Sequence, residues 1–451
     1  MKKRLCFVTI AVIFLAVMLL GCEQSEQPTI VKSESVAQTG QELPAPAQER
    51  PLSEPSAPQP ALQSEPESEK YEPVINDAAP SATSYLTPPT RIMENVADVA
   101  VGFNFTAVVK RDGTLWTWGE NGSGQLGCGT TTSRQTPVQI MDNVSSVSAA
   151  DEHILAVLND GTLWGWGDNS SAQLGDGTTT NSYIPTYIMN NVSYVSTEWS
   201  STFVTRTDNS LWAWGYDASG REMVADWHAD PEWYLDEVMD HQAMVRDSAT
   251  RFSPEMILND TLAVSSSLWT DGMALPWGYT LAIRSDGNLW GWGWNTFQIL
   301  READNAWDDW IESPILVMED VVSVFARPVS AMAIRGDGSL WAWGQNWSGT
   351  LGDGTAECQS APVKILEDVA YITGGMHYGM AVTNCGRLYG WGFSAHDRSG
   401  RFGNMDISRS LSPVFIMDDV ISVSAGARHT MAIRTDGSLY GWGNPGRVRI
   451  Y

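Results

Sequence analysis

Histidine, cysteine and clustered carboxylates are the residues of this chain that could bind a metal or perform catalysis. The sequence holds 6 His and 5 Cys, and no Cys-x-x-Cys pair occurs. His228 and His241 have no third ligand at a metal-binding spacing. His153 and His429 recur at one position of a repeat, so we expect them to be structural. With no nucleophile elbow or phosphate-binding loop, the sequence predicts no enzyme, no cofactor and no metal centre.

Acidic residues offer a second kind of chemistry, the binding of a cation. The run GDGT at 175 and at 352 is interpreted as a turn, because a calcium loop needs more carboxylates at alternating positions. The segment 216–253 is rich in Asp and Glu. A cation bound by that segment stays an open alternative.

Tryptophan gives the strongest spacing signal, with 21 residues in the chain. An eight-residue pattern, exemplified by DGTLWGWG at 160–167, occurs seven times. Its copies begin 48, 48, 78, 51, 48 and 51 residues apart, which indicates a repeat architecture. The copies begin at Asp112, Asp160, Asp208, Asp286, Asp337, Cys385 and Asp436.

The elements that position these motifs are short strands. In the last repeat, strand signals cover 413–417, 420–424, 429–434 and 439–442, and Asp436-Gly437 marks a tight hairpin. Seven repeats of four antiparallel strands predict an all-β, seven-bladed β-propeller. Because alternate residues of a strand share one face, we expect both aromatic positions of each motif to be buried between blades.

One further strand signal precedes the first motif and closes the predicted ring. Residues 89–93, PTRIM, match the leading strand of every later repeat. We expect Pro89 to Met93 to pair with the last blade, because closure removes exposed strand edges. The predicted propeller therefore covers 88–443, followed by a tail at 444–451.

The repeat resembles that of the regulator of chromosome condensation superfamily over roughly 88 to 443. GARHTMAIRTDGSLYGWG at 426–443 and NGSGQLGCGTTT at 121–132 bear the resemblance. It implies a seven-bladed propeller without fixing a function, because the family includes a nucleotide-exchange factor, a plant ultraviolet-B photoreceptor and a bacterial β-lactamase inhibitor. Trp199 and Trp277 stand at the photoreceptor's corner position but lack its adjoining Arg.

Two insertions interrupt the repeat, at 216–253 and 266–277, on neighbouring blades. Their loops leave the propeller on the end opposite the Asp-Gly hairpins. Nine tryptophans lie outside the motifs, in loops of that same end on blades three to five, and they form the predicted binding face. They are Trp199, Trp227, Trp233, Trp269, Trp277, Trp294, Trp307, Trp310 and Trp347.

A lid with its own core is the alternative interpretation of these rings. Asp230 could cap a helix whose first residue is Pro231. A lid core and an exposed binding face both agree with the sequence.

The N-terminal segment predicts export and anchoring. Lys2, Lys3 and Arg4 precede an apolar stretch that ends in LLGC, so residues 1–22 are expected to be a signal peptide. LLGC resembles the lipobox of bacterial lipoproteins, which implies lipidation of Cys22. Residues 23–87 are rich in Pro, Ser, Gln and Glu and are expected to form a disordered tether. The predicted location is the extracytoplasmic face of a cell membrane.

The sequence therefore predicts a non-catalytic, surface-anchored propeller that binds an unidentified protein. The alternatives are a glycan or cell-wall polysaccharide bound by exposed Trp and Asp residues and, third, inhibition of a secreted enzyme. The formal net charge of −26 disfavours a nucleic-acid partner.

Overall fold

Each motif folds into a tight turn and the strand that follows it. In the computed structural model of the chain, the Asp112 carboxylate accepts hydrogen bonds from the Thr114 N–H at 3.0 Å and the Thr114 hydroxyl at 2.7 Å. Gly113 takes a φ of 85°, which glycine adopts without strain. The structure describes residues 86–216, 250–270, 276–301, 310–375, 377–393, 409–426 and 429–443.

The described residues form seven antiparallel sheets of four strands, here called blades 1 to 7. Within blades 1 to 6 the four strands are consecutive in the chain. Blade 1 comprises β2 (Val96–Val101), β3 (Phe105–Lys110), β4 (Leu115–Gly119) and β5 (Arg134–Met141). Blade 2 comprises β6 (Val144–Ala149), β7 (His153–Leu158), β8 (Leu163–Gly167) and β9 (Ser182–Met189). Blade 3 comprises β10 (Val192–Glu198), β11 (Ser201–Arg206), β12 (Leu211–Tyr216) and β13 (Thr250–Leu258).

Blades 4 to 6 follow the same order, whereas the fourth strand of blade 7 is β1, the first strand of the described chain. Blade 4 also contains a 3-10 turn at Thr296–Gln298. The strands are β14 (Thr261–Thr270), β15 (Pro276–Arg284), β16 (Leu289–Trp294), β17 (Trp310–Met318); β18 (Val321–Arg327), β19 (Ser330–Arg335), β20 (Leu340–Gly344), β21 (Gln359–Leu366); β22 (Val369–Gly375), β23 (Tyr378–Thr383), β24 (Leu388–Phe393), β25 (Arg409–Met417); and β26 (Val420–Ala425), β27 (His429–Arg434), β28 (Leu439–Gly443) with β1 (Leu86–Met93).

The ring closes through β1, as the sequence predicts. β1 pairs antiparallel with β28, with Arg91 opposite Tyr440 and Met93 opposite Leu439. Met93 is 5% exposed and packs in a cluster with Val96 and Ile433. The predicted all-β propeller of seven blades and its closing strand are both confirmed.

The first strand of every blade faces the propeller axis. These strands, β2, β6, β10, β14, β18, β22 and β26, contact one another in a closed ring. Serine hydroxyls join neighbouring members: Ser148 accepts from the Thr197 N–H at 3.2 Å, and Ser265 accepts from the Ala326 N–H at 2.9 Å. These serine contacts therefore link the innermost strands of blades 2 and 3 and of blades 4 and 5.

The second aromatic position of each motif fills the gap between blades. Trp166 is fully buried, and its indole N–H donates to the Gln125 carbonyl of the preceding blade at 3.1 Å. Gly127 lies beneath the ring with a φ of +72°, and a Cβ there would stand 2.6 Å from the indole nitrogen. The equivalent residues, each at most 2% exposed, are Trp118, Trp214, Trp292, Trp343, Trp391 and Trp442.

The first aromatic position is only half-buried, which corrects the expectation that both rings lie between blades. These rings stand at the hairpin end of the blade, where the Trp116 indole donates to the Thr114 hydroxyl at 2.9 Å. The Lys110 ammonium lies 5.0 Å from the centre of the Trp116 ring. In blade 2, where no cation holds this position, the edge of Tyr187 packs against Trp164 at 5.8 Å.

Candidate functional site

One end of the propeller, here called the loop face, holds two connections of every blade. These are the turn between the first and second strands and the longer connection between the third and fourth strands. The Asp-Gly hairpins emerge at the opposite end, because antiparallel strands return the chain alternately to each end. The two predicted insertions, 216–253 and 266–277, both belong to connections of the loop face.

The long connections of the loop face are held by buried asparagines. The Asn121 side chain accepts from the Leu126 N–H at 2.8 Å and donates to the Thr130 carbonyl at 2.8 Å. Asn169 and Asn346 repeat this arrangement in blades 2 and 5. Fully satisfied buried amides fix a loop in one conformation, so these connections form a rigid rim.

Four tryptophans outside the motifs have described side chains, and the structure brings two of them together. Trp294 and Trp310 are opposite each other on β16 and β17, with ring centres 5.4 Å apart and planes at 67°. Trp347 of blade 5 packs its ring against Phe297 of blade 4, at 5.8 Å and 89°. The sequence analysis missed Phe297, although its place in a connection of the loop face was a usable signal.

Among the four with described side chains, Trp199 and Trp347 are exposed, with 45% and 61% of their surface accessible. Trp199 stands in the turn between β10 and β11 of blade 3. Trp227, Trp233 and Trp307 lie outside the described residues.

The second insertion extends a hairpin of blade 4 beyond the other blades. β14 has 10 residues and β15 has 9, against 6 in β6 and β7. Trp269 and Trp277 are opposite each other near the end of this hairpin, where the structure describes the backbone. This sector of the loop face therefore projects beyond its neighbours.

In blades 4, 6 and 7, the residue of the second strand that lies opposite the last Gly of the motif reaches toward the next blade. The Tyr279 hydroxyl donates to the Arg327 carbonyl at 2.8 Å, and the Tyr378 hydroxyl donates to the Gly426 carbonyl at 2.8 Å. His429 lies 3.0 Å from the Thr106 hydroxyl. These contacts join the second strand of one blade to the first turn or the second strand of the next.

His153 occupies the same position in blade 2 but has no such partner. It is fully buried, and neither ring nitrogen has a hydrogen-bond partner. Burial lowers the pKa of His153 to about 4, so the ring is neutral at pH 7. By the register of His429, the ring faces blade 3, where Thr202 of β11 is the counterpart of Thr106.

Two carboxyl groups with raised pKa values stand at the axial mouth of the loop face, defined here as residues 150–153 and 198–201. Burial, and to a smaller extent Glu152, raises the pKa of Asp151 to about 7. Burial, followed by the charge of Asp151, raises the pKa of Glu198 well above its usual range. The sequence analysis missed this pair, because 46 intervening residues separate the two side chains along the chain.

Metal sites, disulfides and membrane spans are three other features that could indicate a function. Within them, no group of three or more His, Cys, Asp and Glu side chains is arranged to hold a metal ion. Cys128, Cys358 and Cys385 are free thiols. No helix in the described part of the chain is long and apolar enough to cross a membrane.

The repeats match two family models with one description, the Regulator of chromosome condensation (RCC1) repeat. The matched segments are RCC1 repeats. The RCC1 matches leave out 205–336, the part that contains both insertions. The matched ranges are 112–157, 160–204, 337–382 and 385–433 for one model and 96–125, 144–173 and 420–447 for the other.

The ultraviolet-B receptor UVR8 of Arabidopsis thaliana is 35% identical over 82 residues, which cover 17% of this chain. The match spans only 18% of the receptor's own length. The match therefore supports the assignment of the repeat, and the receptor's activity is not assigned to this chain.

Two solved structures share the fold. Human WBSCR16 aligns with a TM-score of 0.58 and 18% identity, covering 77% of this chain and 86% of its own. Yeast RCC1 (Prp20), solved with Kap60 bound, aligns with a TM-score of 0.59 and 16% identity, covering 84% and 97%. At these identities the likeness extends to the fold alone.

Proposed function

We propose that this chain is a non-catalytic binding propeller that recognises a protein through the loop face of blades 3 to 5. The exposure of Trp199 and Trp347 on that face is the observation that carries the proposal. Large rings accessible to solvent in a polar surround are typical anchors of protein interfaces. In blade 5, the buried Asn346 holds the connection that contains Trp347, and this reduces the ordering cost that binding would otherwise incur there.

Ring geometry favours a protein over a glycan. Sugars stack on flat, open aromatic surfaces, whereas Trp294 with Trp310 and Phe297 with Trp347 meet edge to face at 67° and 89°. Edge-to-face pairs present an uneven surface that side chains of a partner can fill. Within the described residues, no coplanar pair of exposed rings is found on this face.

Loss of partner affinity on removal of an exposed ring tests the binding face. We expect Trp199→Ala and Trp347→Ala each to weaken partner binding by about 1–3 kcal/mol, with little change in melting temperature. The partner would first be captured on residues 86–451 from a cell-surface extract and purified. Its affinity for each variant is then measured by biolayer interferometry.

Tyr187→Ala and Phe415→Ala are the matched controls for this experiment. Both rings are exposed to a similar degree, 44% and 46%, but they stand on fourth strands at the outer rim. The controls should leave affinity unchanged. Lower melting temperatures with intact binding for the Trp199 and Trp347 variants would instead identify a lid core and contradict the proposal.

We further propose that Cys22 anchors the chain to a membrane on its extracytoplasmic side. LLGC after an apolar stretch is the supporting observation. Cys22→Ala should move the protein out of the membrane fraction, and wild-type protein should show a diacylglyceryl group at Cys22 by mass spectrometry. Cys6→Ala, inside the same apolar stretch, is the control and should leave both results unchanged. Equal membrane association of Cys22→Ala and wild type would contradict anchoring by this residue.

A further inference from the structure

Arg327 is a buried cation with no opposite charge beside it among the described residues. It ends β18, the innermost strand of blade 5, and its side chain is 1% exposed. Within the described part of the chain it forms no ion pair, and Tyr279 is the only titratable group that acts on it. Burial lowers the pKa of Arg327 to about 10, so the guanidinium stays charged at pH 7. A buried charge that is not neutralised strongly destabilises the native state.

The other described arginines are in a different situation. Arg206 and Arg284 are half-buried at the hairpin end and lie over indole rings, at 5.4 Å and 5.5 Å from the ring centres. Arg434 is also half-buried and pairs with Asp419 at 2.6 Å. Among the described lysines and arginines, Arg327 is the only one that is fully buried.

One nitrogen of the Arg327 guanidinium is hydrogen-bonded, and the other two are not. Nη1 donates to the Thr350 carbonyl at 3.2 Å. Nε and Nη2 are buried and have no hydrogen-bond partner. These two nitrogens share one edge of the planar group, and such an edge can donate two N–H groups to one anion.

Ser330 adds a third unused donor on the same side of the blade. It is fully buried, and its hydroxyl has no hydrogen-bond partner. Arg327 and Ser330 are directly opposite each other at the end of the β18–β19 pair. Opposite residues of antiparallel strands direct their side chains to the same face of the sheet. The hydroxyl and the guanidinium therefore leave the backbone on one face of blade 5.

That face of blade 5 is directed toward blade 6. Tyr279 holds the position of Ser330 in blade 4, and its hydroxyl reaches forward to the Arg327 carbonyl of the next blade at 2.8 Å. The Thr350 carbonyl that accepts from Arg327 also accepts from the indole N–H of Trp391, in blade 6, at 2.9 Å. The three unused donors therefore face the junction of blades 5 and 6.

The repeat indicates that this junction has room for a small ligand. Five of the other six blades have an aromatic or imidazole ring at the position of Ser330. These are Phe105, His153, Tyr279, Tyr378 and His429. A serine leaves the space of such a ring to the Arg327 side chain and to a ligand small enough to share it.

We propose that a small monoanion, chloride above all, binds between Arg327 and Ser330 at the junction of blades 5 and 6. One negative charge neutralises the guanidinium, and the Ser330 hydroxyl is a further donor to the same ion. Because Arg327 also holds the Thr350 carbonyl, the ion stabilises the connection that presents Trp347 three residues earlier. This site goes beyond the proposed function and does not depend on it, so either proposal can fail without the other.

Stability in chloride against gluconate, at equal ionic strength and pH 7, tests the site. The protein is residues 23–451, and gluconate is the anion too large to enter. We expect the melting temperature to rise by about 2 °C for each tenfold increase in chloride above its dissociation constant, because an ion that binds only the native state stabilises it. Arg327→Met should remove this dependence, and Ser330→Ala should weaken chloride binding by about twofold to fivefold.

Arg327→Met also distinguishes a bound ion from a purely structural role of the arginine. Methionine fills similar space without a charge, so in gluconate the variant should be at least as stable as the parent. In chloride the parent should gain stability and the variant should not. If the variant instead loses the same stability in both salts, the arginine acts through its hydrogen bond to Thr350 alone, and the proposal is overturned.

Arg335→Met is the matched control, in the same blade but at the hairpin end. Arg335 is half-buried and lies 4.0 Å from Asp320. This variant should keep the chloride dependence of the parent. An equal response to chloride in the parent, Arg335→Met and Arg327→Met would show a general salt effect and contradict the site.

Bromide in place of chloride locates the ion directly. Crystals soaked in sodium bromide should show an anomalous peak within hydrogen-bond distance of Arg327 Nε and Nη2 and of Ser330 Oγ. A water molecule at that place, with no bromide peak, would mean that a neutral ligand satisfies the donors and would refute the proposal.

Discussion

Removing residues 1–95 is expected to lower the free energy of unfolding by about 3 kcal/mol or more relative to removing residues 1–85. The longer deletion takes away β1 and exposes the edge of β28, whose backbone groups then lose their partners in the ladder. It also removes Met93 and Ile92 from a cluster with Val96 and Ile433. The shorter deletion leaves every described strand in place.

Denaturant unfolding of the two proteins, followed by circular dichroism, measures the difference. Met93→Ala in the protein that begins at residue 86 is a milder variant that keeps the strand. It should lose about 2 kcal/mol or more, because Met93 is 5% exposed and its removal leaves a cavity. Equal unfolding midpoints for the two deletions would mean that the ring does not depend on β1.

Much of this fold could be predicted because each blade is a local unit that repeats its own signals. Asp160-Gly161 predicts a tight hairpin, and the structure has the left-handed glycine, at a φ of 80°, and the Asp160 carboxylate capping the turn. The number of motif copies, seven, then gives the number of blades. Closure was predictable for a related reason, since residues 89–93 match a fourth strand with no blade of their own.

How deeply each aromatic ring of the motif is buried could not be predicted from strand alternation alone. Alternation places Trp164 and Trp166 on one side of β8, but it does not say how far each lies from the hairpin end. The hydroxyl side chain two residues before the first ring was the missed signal: Thr162 accepts the Trp164 N–H at 3.1 Å in the hairpin itself. A ring held by its own turn stays close to solvent.

The axial mouth was unpredictable for a different reason. Asp151 and Glu198 belong to different repeats and approach only because the innermost strands form a ring. Both residues replace positions that are Gly or Ala in other copies, such as Gly426 and Ala427. These two departures from the repeat were visible in the sequence. The raised pKa values of Asp151 and Glu198, however, depend on burial that only the assembled propeller provides.

Trp166→Ala is expected to destabilise the protein by about 3–5 kcal/mol, the range found for truncating a large buried ring. Trp166 is fully buried, packs among Leu126, Ile154 and Phe105, and hydrogen-bonds to the preceding blade. The variant loses the ring's apolar contacts and leaves a cavity at the junction of blades 1 and 2. It also leaves the Gln125 carbonyl without its indole donor.

Trp164→Ala is the matched control, because it removes the same side chain two residues away on the same face of β8. Trp164 is half-buried and its partners are Thr162 and the edge of Tyr187, so its loss should destabilise the protein by about 1 kcal/mol. Urea unfolding of both variants gives the comparison, and Trp166→Phe, which keeps an aromatic ring without the N–H, should fall between them. Equal destabilisation by the two alanine variants would show that the hairpin ring is as much a part of the core as the ring between blades. A clear difference would mean that the second aromatic position of each motif joins one blade to the next, while the first stabilises its own hairpin.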